Sequence, residues 1–577
     1  MRYRLALIGL VLILAGSLLA SRVQTSGGVQ VSEAHWRTAE GATMSGLLYR
    51  PAGLDGGRRA PAVLLSHGYI NTREMQSPFA IELSRRGFVV LAMDMTGHGG
   101  SGGNVGAAGF GGPSALAFLR SQSFVDPDQI GLAGHSMGGG PILAAARAQP
   151  DGYRAVALVG SAPGLFGPPD EVRPDFPRNL NVVFGGLDEF AGLMWRTPKG
   201  TDLPDSPKLK QVFGVSSAVE PGRVYGDPGL GTARRLDLPH VTHPWEHFSS
   251  GGVAPVIDWM QARLEGESHP LPPGNQIWFW KEVGTLVGFV GFIVVLLGVF
   301  EAVLALPWIG DLRRSPEPVV AVRGPGGWIA LALTAALPAL TYLPFMKLGA
   351  LWLPSAQFPQ WIQNQLLAWA LLNTLLSLLV APFLRRGHPD FSLDVPRSSF
   401  AALAAVGAGA LALLAMDRLL HVDFRFWVVG FRPLDASRWG TFLTYLPFWI
   451  LHSVILVRSL CALLAVDGAG RRSTYLTAAG VLGGGFLVLA AFEYGTLFTT
   501  GLLLTPTEPL NVIVALQFIP LLAIVGVISV FTWRRTNSYL PGALICAIFL
   551  CGYVTSGTAN HWSPDYPMTF PPAARSP

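Results

Sequence analysis

One short stretch of this chain has the residue types and spacing for nucleophilic chemistry. Gly134-His135-Ser136-Met137-Gly138 places a serine between two glycines two positions away on either side. Such spacing suits a sharp turn, because side chains at the glycine positions would collide. A turn of this kind between a strand and a helix lifts the serine hydroxyl to the end of a sheet. The following helix start and the Met137 backbone N–H then favour negative charge developing on a bound carbonyl oxygen. An ordinary small-residue turn has the same five letters, so context decides. Here Gln129–Ala133 reads as the strand before it and Pro141–Arg147 as the helix after it. Other chemistries lack their patterns. There is no C-x-x-C or H-E-x-x-H spacing for a metal. The glycines from Gly99 to Gly112 lack the Lys-Ser/Thr ending of a phosphate loop. No metal, nucleotide or other cofactor is therefore expected.

The elements that must position Ser136 alternate in type. Ala34–Tyr49 reads as two strands turning at Glu40-Gly41, and Ala62–Leu65 as a buried strand ending in Ser66-His67-Gly68-Tyr69. Met75–Arg86 reads as helix, Phe88–Asp94 as strand, and Gly112–Ser121 as helix, with a glycine-rich loop from Thr96 to Gly102 between the last two. Further strands are expected at Ala155–Val159 and Asn181–Gly185. Strands alternating with helices imply a mostly parallel sheet covered on both faces.

Ser66-His67-Gly68-Tyr69, the stretch from Arg86-Gly87-Phe88 to Asp94-Met95-Thr96-Gly97-His98-Gly99, and Gly134-His135-Ser136-Met137-Gly138-Gly139 together resemble the α/β-hydrolase superfamily. The likeness is to its serine aminopeptidase/monoglyceride-lipase-like branch and to dienelactone hydrolases, and it covers about residues 34–264. The resemblance implies Ser136 as nucleophile and the backbone N–H groups of Tyr69 and Met137 as an oxyanion hole. It implies Asp188 as the acid, with Glu189 as the adjacent rival. For the base it implies His243, with His247 and then His240 as alternatives. Their order, Ser, Asp, His, is the one this fold uses. His67, His135, Asp94 and His98 read as packing and loop-organising residues. Two departures stand out. The place where many relatives insert a helical cap holds only the short, Pro-rich stretch Ser161–Arg178. Phe190–Ala233, which contains Trp195, is longer than usual and suggests a lid or a rest on the membrane domain.

Composition sets the rest of the chain apart. The 577 residues are 50% hydrophobic and 13% charged, against about 25% charged in soluble domains. From Trp278 onward there are eight apolar runs of the length needed to cross a bilayer. They are Gly284–Leu306, Trp328–Met346, Leu366–Leu384, Phe400–Leu420, Thr441–Val466, Leu476–Phe498, Leu510–Trp533 and Tyr539–Thr555. A ninth run, Leu5–Ala20, follows Arg2 and Arg4 and reads as a cleaved signal peptide or an uncleaved signal anchor, the anchor favoured because Leu18 disfavours cleavage after Ala20. The pairs Arg313/Arg314, Arg385/Arg386, Arg471/Arg472 and Arg534/Arg535 fall in alternate loops, as cytoplasmic cations do. The net charge of +5 therefore marks loops beside a membrane rather than a nucleic-acid surface. The domains expected are a signal anchor (1–29), an α/β-hydrolase domain (30–268), a polytopic helical membrane domain (276–556) and a tail (557–577), with irregular chain from Tyr553. The three cysteines, Cys461, Cys546 and Cys551, all fall in spans.

Ionisable residues inside spans are costly and count as candidate functional groups. Glu301 and Arg458, at equal expected depth, suggest an ion pair. His452 and Glu493 are the other two, and Gly483-Gly484-Gly485 suggests close helix packing.

The expected protein is a hydrolase of the cytoplasmic membrane with its catalytic domain outside. It would cleave an ester or amide through an acyl-serine intermediate, a lipid-like acyl ester first and a peptide second. The alternatives are a transporter- or acyltransferase-coupled hydrolase and a catalytically silent membrane module. The expected partners are its small-molecule, lipid or peptide substrate and membrane lipids, with no nucleic acid.

Overall fold

Short aliphatic runs broken by glycine form the strands of a nine-stranded sheet. The computed structural model describes residues 3–54, 57–316, 325–384, 391–465 and 471–563. The strands are β1 (Gln30–Arg37), β2 (Thr43–Arg50), β3 (Ala60–Ser66), β4 (Val89–Met93), β5 (Val125–His135), β6 (Ala155–Val159), β7 (Leu180–Val183), β8 (Val224–Tyr225) and β9 (Arg234–Asp237). Their order in the sheet is β1-β2-β4-β3-β5-β6-β7-β9-β8. The six strands from β4 to β9 in that order run parallel, and antiparallel strands flank them at both edges. β3, β4, β6 and β7 are buried along their whole length, as strands with helices on both faces must be.

Helix α1 (Arg4–Gln24) precedes the sheet. Helices α2 (Ser77–Arg85), α3 (Gly112–Arg120), α4 (Gly139–Ala148) and α7 (Ser250–Arg263) cover it, α2 packing with α7 and α3 with α4. The chain moves from β3 to its neighbour β4 on one side, then to β5 on the other. That reversal opens a crevice beyond the C-terminal ends of β3 and β5, where open sheets of this type place their ligands. Tyr69 follows β3 and Ser136 follows β5.

The long excursion between β7 and β9 contains α5 (Ala191–Trp195) and α6 (Pro207–Phe213). It is no detached lid. Trp195, Leu203, Leu209 and Val212 are completely buried and belong to the main hydrophobic core. Ser161–Arg178 carries only one 3-10 turn, at Pro169–Glu171, as its length implied.

By contact, the chain divides into two units. One comprises Leu19–Glu282, Tyr494–Pro509 and the residues from Gly557. Thus two segments beyond the expected hydrolase boundaries pack with it. The expected irregular chain begins later than Tyr553, and residues 564–577 of the expected tail lie outside the described residues. Tyr553–Gly557 completes the last helix, and Ala559 is 1% exposed within the hydrolase core.

The other unit, Met1–Leu18, Val283–Glu493 and Leu510–Ser556, is helical. Its helices after α7 are α8 (Phe279–Val303), α9 (Pro325–Leu340), α10 (Tyr342–Gly349), α11 (Trp361–Leu384), α12 (Val395–Leu420), α13 (Trp439–Leu464), α14 (Arg471–Thr500), α15 (Pro509–Thr536) and α16 (Leu540–Gly557). A short hairpin, β10 (Phe424–Phe426) and β11 (Val429–Phe431), follows α12. Among the described residues, eight helices are long and apolar enough to span a membrane: α1, α8 and α11 to α16. α9 and α10 make a ninth span if counted together across their 42° bend. Pro344 explains the bend, since it has no N–H to donate to the Leu340 carbonyl. The length and composition of these helices fit a multi-pass membrane protein.

The expected Glu301–Arg458 pair does not form. Glu301 Oε2 instead lies 3.0 Å from Arg535 Nη2. Glu301 is two residues from the end of α8 and Arg535 one from the end of α15, so the two charges meet at helix termini rather than at mid-depth. His452 Nδ1 lies 2.9 Å from Thr374 Oγ1, a structural hydrogen bond between helices. Gly485 packs so closely that a Cβ there would stand 2.0 Å from the Ala335 carbonyl oxygen. The pair Arg385/Arg386 lies outside the described residues.

Candidate active site

At the end of β5 the backbone turns abruptly, and Ser136 takes φ +56°. A non-glycine residue held in the left-handed region costs about 1–3 kcal/mol, so the surrounding packing must enforce it. Two glycines permit that packing. A Cβ on Gly134 would stand 2.2 Å from the Gly138 oxygen, and one on Gly138 2.4 Å from the Ser66 oxygen. Ser136 is partly exposed between buried neighbours. Gly68 presses against it, at a separation where an added Cβ would lie 3.1 Å from Ser136 Cβ. The loop carrying Tyr69 is thereby drawn beside the serine.

His67 fixes that loop. Its Nε2 accepts from the Met95 N–H at 3.1 Å, so the proton sits on Nδ1, which donates to the Gly68 carbonyl at 2.8 Å. Asp94 ties the neighbouring glycine-rich loop to the segment after β3 by accepting from the backbone N–H groups of Gly100 and Arg73.

The structure brings His243 and Asp188 together, with Nδ1 2.7 Å from Oδ2. The other carboxylate oxygen of Asp188 accepts from the Phe190 N–H, which aims the group. Both side chains are buried. The Phe190 ring packs 4.6 Å from that of His243, and His135, next to Ser136, lies 4.7 Å away on another side. Burial alone would lower the pKa of His243. The charge of Asp188, its hydrogen bond and the charge of Glu189 outweigh this and raise it above 6.5.

The other candidates take different places. Glu189 accepts the His243 backbone N–H on Oε2 and the Tyr494 hydroxyl on Oε1. Burial, then the charge of Asp188, pushes its carboxyl up to about 7. His247 contacts His135 at 3.4 Å, and burial lowers its pKa to about 3, which suits a packed neutral ring. His240 is exposed.

Three participants were not legible in the sequence. Glu246 is fully buried, and its Oε1 accepts from the Gly185 N–H at 2.5 Å. Its Oε2 lies 3.5 Å from His243 Nδ1. Burial and then the charge of Asp188 raise its pKa well above the carboxylate range, making it a neutral acid beside the Asp188–His243 pair. Its position three residues after His243 is the only local signal, and that spacing alone is uninformative. Tyr494 and His561, which reach Glu189 and Tyr69, are about 300 and 490 residues away in sequence. No periodicity predicts such contacts.

His135, His243 and Glu246 offer ligand atoms within 4.8 Å of one another. However, His243 Nδ1 faces Asp188 and Glu246 Oε1 faces Gly185. A Cβ on Gly160 would stand 1.9 Å from Glu246 Oε2, so the backbone closes over that oxygen. The cluster fits hydrogen-bonded support of His243 better than an ion site.

Residues 61–206 match the family model for the α/β hydrolase fold. Similar solved structures include a dienelactone hydrolase from Anabaena variabilis, with 19% identity, 41% of this chain and 99% of that one covered, and a TM-score of 0.29. Another is an esterase from Pyrococcus furiosus, with 15% identity, 41% and 92% coverage and a TM-score of 0.31. A dienelactone hydrolase-like promiscuous phosphotriesterase from metagenomic libraries has 14% identity, 41% and 99% coverage and a TM-score of 0.29. No curated protein matches the chain. The sheet-bearing part of this protein is therefore a domain of the α/β-hydrolase fold.

Proposed function

We propose that this α/β-hydrolase domain is a serine hydrolase built into a multi-pass membrane protein, and that it cleaves carboxylic esters through an acyl-Ser136 intermediate. The observation that carries the reading is the strained Ser136 turn together with the His243–Asp188 pair at 2.7 Å, whose histidine ring packs 4.7 Å from that of His135, next to Ser136. With its Nδ1 proton committed to Asp188, His243 presents Nε2 as the acceptor for the Ser136 proton. Ser136 Oγ attacks the substrate carbonyl, and the oxygen takes up negative charge between the Tyr69 and Met137 backbone N–H groups. His243 returns the proton to the leaving alcohol, then activates water to release the acid. Asp188 stabilises the imidazolium in both halves.

A lipid-like acyl ester is the favoured substrate, because a chain with so many apolar helices holds its catalytic domain beside lipid. The domain is assigned to the outer side of the cytoplasmic membrane, from Arg4 at the start of α1 and the arginine pairs in alternate loops. Retention of α1 as an anchor is supported by its packing on α8. A Cβ on Gly16 would stand 2.4 Å from the Gly284 oxygen, and one on Gly298 2.2 Å from the Ala6 nitrogen.

The test is fluorophosphonate labelling of membranes holding the wild type, Ser136→Ala or His243→Ala. Labelling lost in both variants supports the reading, and an unlabelled, folded wild type refutes it. Turnover of aryl esters of increasing chain length against aminoacyl anilides then separates esterase from peptidase. Protease access to the domain in intact cells checks its side of the membrane.

A further inference from the structure

The chain leaves its last span at Gly557 and at once enters the hydrolase core. Ala559 is buried there, and Asn560 makes two backbone hydrogen bonds, donating to the Gly97 carbonyl at 2.8 Å and accepting from the Val105 N–H at 3.0 Å. Gly97 permits this approach. It takes φ +75°, and a Cβ there would stand 2.6 Å from the Asn560 oxygen. The glycine-rich loop after β4 thus acquires a purpose that its sequence did not disclose. It is the seat of residues 559–561.

His561, the next residue, is 5% exposed, and its Nε2 lies 2.9 Å from the Tyr69 hydroxyl. The rings meet edge to face at 5.6 Å. Burial lowers the His561 pKa to about 4 and raises that of Tyr69, so both groups are neutral near pH 7. The hydrogen bond joins a neutral phenol to a neutral imidazole. Tyr69 is the residue whose backbone N–H is assigned to the oxyanion hole. Its side chain is held at the far end by His561, while Gly68, next to it, is held by His67.

We infer that His561 is a positioning residue for the oxyanion loop, and that the segment after the last span completes the catalytic unit. The inference rests on the serine-hydrolase reading above. The hydrolase fold by itself would lack the group that fixes the Tyr69 side chain. A carbonyl oxygen needs its donors most when it carries charge, so loosening Tyr69 lowers kcat more than it raises KM.

The experiment uses the full chain in membranes, with an aryl ester as substrate and fluorophosphonate labelling as an independent readout. His561→Leu and Tyr69→Phe each remove the hydrogen bond, and each is expected to lower kcat roughly tenfold with KM little changed. His561→Gln keeps a side chain that can hydrogen-bond the phenol and is expected to recover most of that loss. The double variant, Tyr69→Phe with His561→Leu, is expected to be no slower than either single one, because both delete the same contact. Additive losses, a failure of His561→Gln to rescue, or unchanged kcat in all three would overturn the inference. So would faster turnover in His561→Leu, which would mark the segment as an obstruction. If His561→Leu does not fold, Tyr69→Phe alone and combined with His561→Gln decides, since the glutamine then has no phenol to hold and must have no effect on kcat. A labelled wild type with indifferent His561 variants refutes this inference alone. An unlabelled, folded wild type refutes the hydrolase reading and this inference with it.

Discussion

Substituting Gly138 by alanine tests whether the nucleophile turn and the oxyanion loop are held at a fixed separation. The new Cβ would stand 2.4 Å from the Ser66 oxygen, 2.6 Å from the His67 oxygen and 2.8 Å from the Ser66 carbonyl carbon. All three are backbone atoms of the strand end that leads to Tyr69, so no side chain can rotate away. An ordinary carbon–oxygen contact needs about 3.3 Å, and the two segments must separate by about 1 Å. Overpacking of this size costs roughly 1–3 kcal/mol of stability. Its effect on catalysis is larger. A displacement of about 1 Å costs on the order of 10²-fold, and loss of one oxyanion donor roughly 10²–10³ in kcat. The assay is ester turnover by the full-length variant, with thermal unfolding in detergent recorded in parallel. Gly102→Ala is the control, because the nearest atom to its Cβ, the Thr43 oxygen, is 3.6 Å away. A folded Gly138→Ala protein with wild-type kcat would refute the reasoning, since the turn would then tolerate a separation the mechanism forbids.

Further expectations follow from the geometry of the site and of the helical unit. Asp188→Asn keeps the shape of the site but allows the wrong imidazole tautomer, and kcat should fall on the order of 10³–10⁴-fold; a small loss would pass the acid role to Glu189 or Glu246. The profile of kcat/KM against pH should lose activity as pH falls through a midpoint above 6.5, because His243 must be neutral to accept the serine proton. Glu189→Gln removes one of the negative charges that raise His243, so that midpoint should move to lower pH, and an upward shift would contradict the assignment. In the helical unit, Gly485→Ala should destabilise by roughly 1–3 kcal/mol, seen as a lower unfolding temperature in detergent. Gly484→Ala should be neutral, because nothing lies within 4 Å of its Cβ.

Much of this protein was legible in order along the chain. The apolar spans follow from run length alone, because a helix must be long enough to cross the hydrocarbon layer. The nucleophile turn follows from glycine spacing, a local steric requirement, and the alternation of strands and helices follows from local hydrophobic pattern. Asp188 and His243 came from resemblance, and the structure brings them within 2.7 Å. The failures have a common cause. The Glu301–Arg458 pair was inferred from equal depth, but depth does not say which helices are neighbours, and Arg535 occupies the place beside Glu301. Tyr553–Gly557 was read as irregular chain although its helix continues.

Glu246, Tyr494 and His561 were invisible for the same reason. A side chain's partner far along the chain is set by how elements pack, and packing leaves no local period. The sequence by itself pointed to the Ser136 turn and to the apolar runs, which among the described residues form eight helices long enough to span a membrane, or nine if the bent pair is counted as one. Only the tertiary structure decided which distant residues hold His243 and Tyr69 in place, because hydrogen bonds of about 3 Å depend on chain folding rather than on chain order.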